Sequence, residues 1–453
     1  MSSWTTNHPT VLDEKSIRQS IALACRWIID RSLITTKDHG LPRHSFSHAA
    51  RYTDWRGAFK GEYSARDQRW GFFCPLWHGG QGVKALVMAY EVLKDDEYLR
   101  AARLGADFIL RYRVNDPADA DYGLLLAFEN ASEYINSSAI METLGGLFAL
   151  SDATGDKQYA EAAVAALRWV QRKLWLPDEG LFWDEYDPDK RTRHRAPWMK
   201  KECFPQPGRP LLDDGVFLTG WKLTGDQSFK EIAVQTADRL LRDENPPGNW
   251  KAYPPAFPDT GILHPRHAYW WGRPLWMVSQ ATGDKRYLEA CRRSAQWYVQ
   301  AIRYDGGLFR DTGPDFRTPS FGHATSGAAC AVILWAELTR EFGDKQWIEP
   351  LRRSLSFCQS VQFTGAKDPN LQGAILEKVL PPRRHRCPPV VLARPRHILL
   401  RVGGVSGVAG RAGSPEAVAA HGGRDPPNPP RSAPAAAEPR RLTPRVAELS
   451  MVA

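Results

Sequence analysis

No stretch of this 453-residue chain is long and apolar enough to span a bilayer. Met1 to Lys15 also lacks the apolar core of a secretion signal. Neither a membrane-spanning nor an exported protein is expected. Cysteine is sparse, with seven at positions 25, 74, 203, 291, 330, 358 and 387 and no Cys-x-x-Cys pair. That scatter suits free, buried thiols in a reducing compartment, so a cytoplasmic location is expected. No spacing of His, Asp or Cys resembles a metal site. Gly79-Gly80-Gln81-Gly82 lacks the preceding strand and the Lys of a phosphate loop. Neither a metal nor another cofactor is expected.

A different absence marks the C-terminus. From Arg383 onward there is no Lys, Phe, Tyr or Trp. Twelve Arg stand there against four acids, Glu416, Asp425, Glu438 and Glu448, a net +8 of the chain's formal +9. The basic charge is therefore a property of the tail, and a nucleic-acid partner does not follow from it. Residues 1–382 read as one large domain and 383–453 as a disordered Arg/Pro/Ala-rich tail. A shift of reading frame near Pro382 would account for the change, and sequencing the transcript there tests it.

What the chain has is a phrase written five times. It reads Lys94-Asp95-Asp96-Glu97-Tyr98, Thr154-Gly155-Asp156-Lys157-Gln158-Tyr159, Thr224-Gly225-Asp226-Gln227-Ser228-Phe229, Thr282-Gly283-Asp284-Lys285-Arg286-Tyr287 and Phe342-Gly343-Asp344-Lys345-Gln346-Trp347. The Gly suits a left-handed helix end and the Asp caps the next helix. Apolar text precedes each copy and amphipathic text follows it, so each joins a buried inner helix to an outer one. A lone helix over 12–34 precedes helix pairs near 79–112, 137–174, 212–243, 267–304 and 322–361. Eleven helices are one short of six hairpins. The expected fold is all-α, an (α/α)6 toroid or six-hairpin barrel, its last inner helix missing or replaced by the aberrant tail. An open α-solenoid is the alternative, though long aromatic return loops favour the ring.

A ring of inner helices has its large hollow at the axis, under the loops that enter those helices. These loops supply the candidate residues. Asp213 and Asp214 lie at one inner-helix start. Successive helical residues point about 100° apart, so one should face the axis while the other caps helix 212–224. Asp214 is the preferred general acid/base, with Asp213 beside it. A second carboxylate would come from Glu129, Asp184, Glu185 or Glu202. His267 is a further acid/base candidate, Tyr269 a second proton group, and Arg273 a clamp for a substrate carboxylate. Trp77 and Trp270 could stack on a sugar face. His78 and His323 stand beside Gly, which would let a ligand approach the backbone, and Asn136 could neutralise a substrate acid. The competing roles are a double N-cap for Asp213 and Asp214, an ion pair with an Asp for Arg273, packing for the tryptophans, and a structural place for His78 and His323.

The repeated Thr-Gly-Asp-x-x-Tyr turn, covering residues 79–361, resembles the six-hairpin glycosidase superfamily, especially unsaturated glucuronyl and rhamnogalacturonyl hydrolases. The resemblance implies an axial Asp that protonates an unsaturated uronic acid and activates water, and an Arg near a Trp that holds the substrate. Asp214 and Arg273 match in type. His78-Gly79 stands where a His-Asp pair is expected, and Trp270-Trp271-Gly272-Arg273 replaces a Trp-Ala-Arg-Gly motif. The expected activity is hydrolysis of a uronic-acid-containing oligosaccharide. A lyase using Asn136, His267 and Tyr269, an epimerase using His267 and His323, and an inactive carbohydrate binder are the alternatives.

Overall fold

The computed structural model describes residues 12–41, 51–65, 68–129, 133–196, 204–257, 260–318 and 324–377. The tail, His323, Trp198 and Glu202 lie outside the described residues.

The elements follow the expected order. The lone helix α1 (Glu14–Trp27) runs into a π-helical turn, Ile28–Ser32. The hairpins are α2 (Pro75–Leu93) with α3 (Asp96–Arg111), α4 (Ser137–Thr154) with α5 (Lys157–Lys173), and α6 (Val216–Thr224) with α7 (Gln227–Asp243). They continue with α8 (Leu275–Thr282) and α9 (Lys285–Ala301), then α10 (Thr325–Phe342) and α11 (Ile348–Ser360). The even-numbered helices are inner, and α10 is buried almost all round. The architecture is the all-α, (α/α)6 toroid. The described chain stops at Glu377, where a sixth inner helix would enter. No helix among the described residues is long and apolar enough to cross a membrane.

The recurring phrase does what its chemistry requires. Gly155, Gly225, Gly283 and Gly343 all take left-handed φ near +70°, and Lys94 takes φ 61° in the first copy. Asp156, Asp226 and Asp284 accept the backbone N–H two residues on, and Asp95 does so in the first copy. Tyr98, Tyr159, Phe229, Tyr287 and Trp347 anchor the outer helices in the core. In the last copy Asp344 instead accepts both Arg292 bonds. Asp156→Ala is expected to cost about 0.5–2 kcal/mol, read from the midpoint of a denaturant melt.

Short strands in the return loops hold the loops against the ring. β1 (Glu62–Ser64) pairs antiparallel with β2 (Arg69–Gly71). β3 (Ile135–Asn136) pairs with β6 (Glu185–Asp187), which pairs with β7 (Thr192–His194). β4 (Trp175–Leu176) pairs with β5 (Leu181–Trp183), and β5 with β8 (Gly208–Arg209), each antiparallel. β8 leads straight into the Asp213–Gly215 turn.

Of the tryptophans in or near the mouth loops, about half of which were expected to pack, Trp55, Trp250 and Trp271 are core residues. Gly80 is needed for helix contact: a Cβ there would lie 2.4 Å from Thr143 Cα, where α2 crosses α4. The glycines after His78 thus admit a neighbouring helix, not a ligand.

Candidate active site

An open basin lies at the axis. Its wall takes Trp77, His78 and Gln81 from α2, Glu142 from α4, and Asp213 and Asp214 from the turn before α6. Arg266, Tyr269 and Trp270 come from the segment before α8, and Ser326 and Cys330 from α10. The π-helical turn Ala268–Gly272 sits on one side, and α1 with its own π-turn supplies Trp27, Ile28 and Ser32 on another. Such turns re-aim side chains locally.

Both aspartates reach the basin, contrary to the expectation that one would cap the helix. The reason is local. Asp214 (φ 51°) and Gly215 (φ 61°) both take left-handed backbone, so the chain is not yet helical there. α6 begins only at Val216, without a side-chain cap.

The pair divides by environment. Asp214 Oδ1 accepts Lys84 Nζ at 2.9 Å and Arg273 Nη1 at 2.8 Å. Burial opposes its ionisation, but Lys84 and Arg273 outweigh it and hold the carboxyl below its ordinary range. Asp213 is 2% exposed, and its Oδ2 is buried without a hydrogen-bond partner. Burial, then the Glu142 charge, push it well above the usual carboxylate range. Glu142 accepts Trp77 Nε1 at 2.8 Å. Burial, reinforced by Asp214, raises it to about 7. Asp213 and Glu142 are thus shifted toward the protonated form, and Asp214, the preferred acid from the sequence, toward the anion.

Arg273 is not available as a substrate clamp. It holds Glu337 through Nε at 2.9 Å and through Nη2, besides Asp214, and Trp276 Nε1 also donates to Glu337. Tyr269 faces the basin with its ring under Arg273, 5.0 Å away. Arg266 is the guanidinium on the wall. It donates to Ser326 Oγ at 2.6 Å and pairs with Glu377 at 3.2 Å.

Three other expectations are corrected. His267 is fully buried off the basin, stacked on Trp271 at 4.3 Å, and burial lowers it to about 3. An imidazole held neutral inside the core carries no proton to a ligand. Asn136 is the N-cap of α4, accepting Ser138 and Ala139 N–H groups, and it also accepts Arg209. Its carbonyl is consumed by the helix end. Glu129 is half-buried beside Glu185 and Arg209, outside the basin wall. There Arg209 pairs with Asp184, while burial and then Asp184 and Glu129 raise Glu185 to about 8. Trp77, His78, Tyr269 and Trp270 are on the wall as expected.

Glu142 was missed, as were Lys84 and Glu337. Each is a charge within a largely apolar stretch of an inner helix. An ionisable group there is costly unless it is paired or used, and that cost was the available signal.

Among the described residues, no group of three or more His, Cys, Asp or Glu could hold a metal ion. No family model and no curated protein matches the chain. Solved structures do. A cellobiose 2-epimerase from Bacillus thermoamylovorans B4167 aligns with TM-score 0.58 and 11% identity, over 80% of this chain and 92% of that one. A D-mannose isomerase gives 0.58 and 13%, over 82% and 91%. An unsaturated glucuronyl hydrolase specific for heparin gives 0.56 and 13%, over 80% and 89%. The likeness is one of fold. It bears out the (α/α)6 toroid expected from the turns, and it spans nearly the whole of each neighbour.

Proposed function

We propose that this chain is a sugar-processing enzyme, and specifically a glycoside hydrolase acting on a uronic-acid-containing oligosaccharide. The observation that carries the reading is the Asp213–Glu142 pair: two carboxyls on one basin wall, both favouring the protonated form. Asp213, neutral and with an unpartnered oxygen, donates its proton to the substrate. Glu142, once ionised, takes the proton of the attacking water. The water oxygen bonds to the sugar carbon as the scissile bond breaks, and the leaving oxygen keeps the proton from Asp213. Asp214, pinned by Lys84 and Arg273, fixes the negative field beneath them. Trp77, Trp270 and Tyr269 offer ring faces to a sugar, and Arg266 a cation to an acidic one.

The fold neighbours include hydrolases and epimerases, so fold does not choose between them. The site favours hydrolysis. An imidazole-based epimerase loses His267 to the core, whereas two carboxyls remain on the basin. Uronate oligosaccharides followed by ultraviolet absorbance provide the test. Loss of the unsaturated chromophore, or new reducing ends at unchanged absorbance, supports the proposal, the first marking an unsaturated uronyl hydrolase and the second an ordinary one; a gain makes the protein a lyase; an isomerised sugar with no new reducing end makes it an epimerase.

The pH dependence follows from the same pair. The rate is expected to rise as Glu142 ionises near 7 and to fall once Asp213 loses its proton at higher pH. Glu142→Gln should lower kcat by about 10²-fold and erase the rising limb of the kcat/KM profile. A rising limb that persists would take Glu142 out of the reaction.

A further inference from the structure

One cation on the basin wall has no acid to serve. Lys84 and Arg273 hold Asp214, and Arg266 holds Glu377. Lys60, also on the wall, pairs with no carboxylate among the described residues. Its backbone is fixed: its N–H donates to Ser32 O at 2.9 Å, and Ser32 Oγ donates to its carbonyl at 2.7 Å. Gly61, next in the chain, bonds Gly71 O across the β1–β2 arm. The Lys60 ammonium sits 4.6 Å from the centre of the Trp70 ring. Trp70 packs on Tyr63 at 5.1 Å and on Trp27 at 5.4 Å, and Trp27 lines the same basin.

The surrounding charges do not neutralise it. Burial, then the Arg31 charge, lower the Lys60 pKa, so the ammonium is half out of water beside a like charge. The acid that Arg31 feels, Asp368, already accepts Tyr63 OH at 2.5 Å and Asn370 N–H at 2.9 Å. A half-buried ammonium that faces no carboxylate is unfavourable until an anion joins it. Cation–π contact with Trp70 offsets only part of this. An anion entering from the basin would meet Lys60 over an aromatic floor, at the end of the wall built by α1 and the β1–β2 arm.

We infer that Lys60, with the Trp27–Trp70 floor beside it, is a subsite for an anionic substituent on a sugar unit neighbouring the one attacked. This rests on the hydrolase reading and adds to it. The group recognised is a carboxylate or a sulfate ester, and the substrate class is an acidic oligosaccharide of more than one charged unit.

Binding tests this without turnover. The Asp213→Asn protein, with and without Lys60→Met, is titrated calorimetrically with three tetrasaccharides: uronate-containing and sulfated, uronate-containing and desulfated, and neutral cellotetraose. Methionine keeps the stem against Trp70 and removes only the charge. Lys60→Met should weaken an acidic ligand about tenfold, as loss of one charge-assisted contact does, and leave cellotetraose unchanged. Lys60→Arg should keep the affinity. Lys60→Gln, run alongside, should match Lys60→Met, so that the packing of the methionine does not decide the result. Weakening of the sulfated ligand alone identifies a sulfate ester, and weakening of both acidic ligands identifies a carboxylate. Equal affinity with and without the Lys60 charge overturns the subsite alone. No binding of any tetrasaccharide overturns both the subsite and the reading of the basin beneath it.

Discussion

Asp213→Asn is expected to lower kcat toward 10⁴-fold, near the upper end of the roughly 10²–10⁴-fold range for loss of a positioned proton donor. The amide fills the same space but has no proton to give at neutral pH. Stability should move the other way. A buried carboxyl whose folded pKa is raised loses stability as pH climbs above its unfolded value near 4, since the unfolded chain ionises first. Asparagine removes that penalty. The variant should therefore melt higher than the parent at about pH 8, with a smaller gain at about pH 5. Kinetics and thermal melts on the same two proteins check both halves. A variant that keeps its rate would return the acid role to Asp214. Asp214→Asn differs in kind: it leaves Lys84 without its carboxylate and Arg273 with Glu337 alone, so destabilisation should dominate.

Arg273→Met is expected to be the most damaging change to the fold. Arg273 joins Asp214 and Glu337 at 10% and 3% side-chain exposure, and its own side chain is 12% exposed. Removing the cation strands Glu337 and leaves Asp214 with Lys84 alone. Breaking such a buried network costs about 3–5 kcal/mol. A typical margin is about 5–15 kcal/mol, so the loss is a large share of it. The sign with pH is set by Asp214, whose depressed pKa contributes stability above its unfolded value, lost as pH falls through the folded one. The deficit of Arg273→Met should thus be largest near neutrality and shrink in acid. Urea midpoints at the two pH values measure it. An unchanged midpoint at neutral pH would mean that Lys84 alone can carry the anion.

The five turn phrases made the toroid legible because every part of them is local. Glycine takes left-handed φ, aspartate caps two residues ahead, and the aromatic lands one turn into the outer helix. None of this needs a distant partner, so the spacing alone fixed inner and outer helices and the hollow between them. It also placed Asp213, Trp77 and Trp270 at the mouth, since helix starts are local too. Side-chain roles were another matter. Asp214 and Asp213 are neighbours in the chain, yet Lys84 and Arg273 from other hairpins shift one toward the anion, while burial and Glu142 shift the other toward the protonated form. His267 looked functional by type and position until Trp271 and the core closed around it. Glu142 and Lys60 were hidden because their meaning comes only from the facing walls. Backbone turns depend on a few adjacent residues, whereas proton affinity depends on burial and on charges brought in from far along the chain, and those are set only when the ring has assembled.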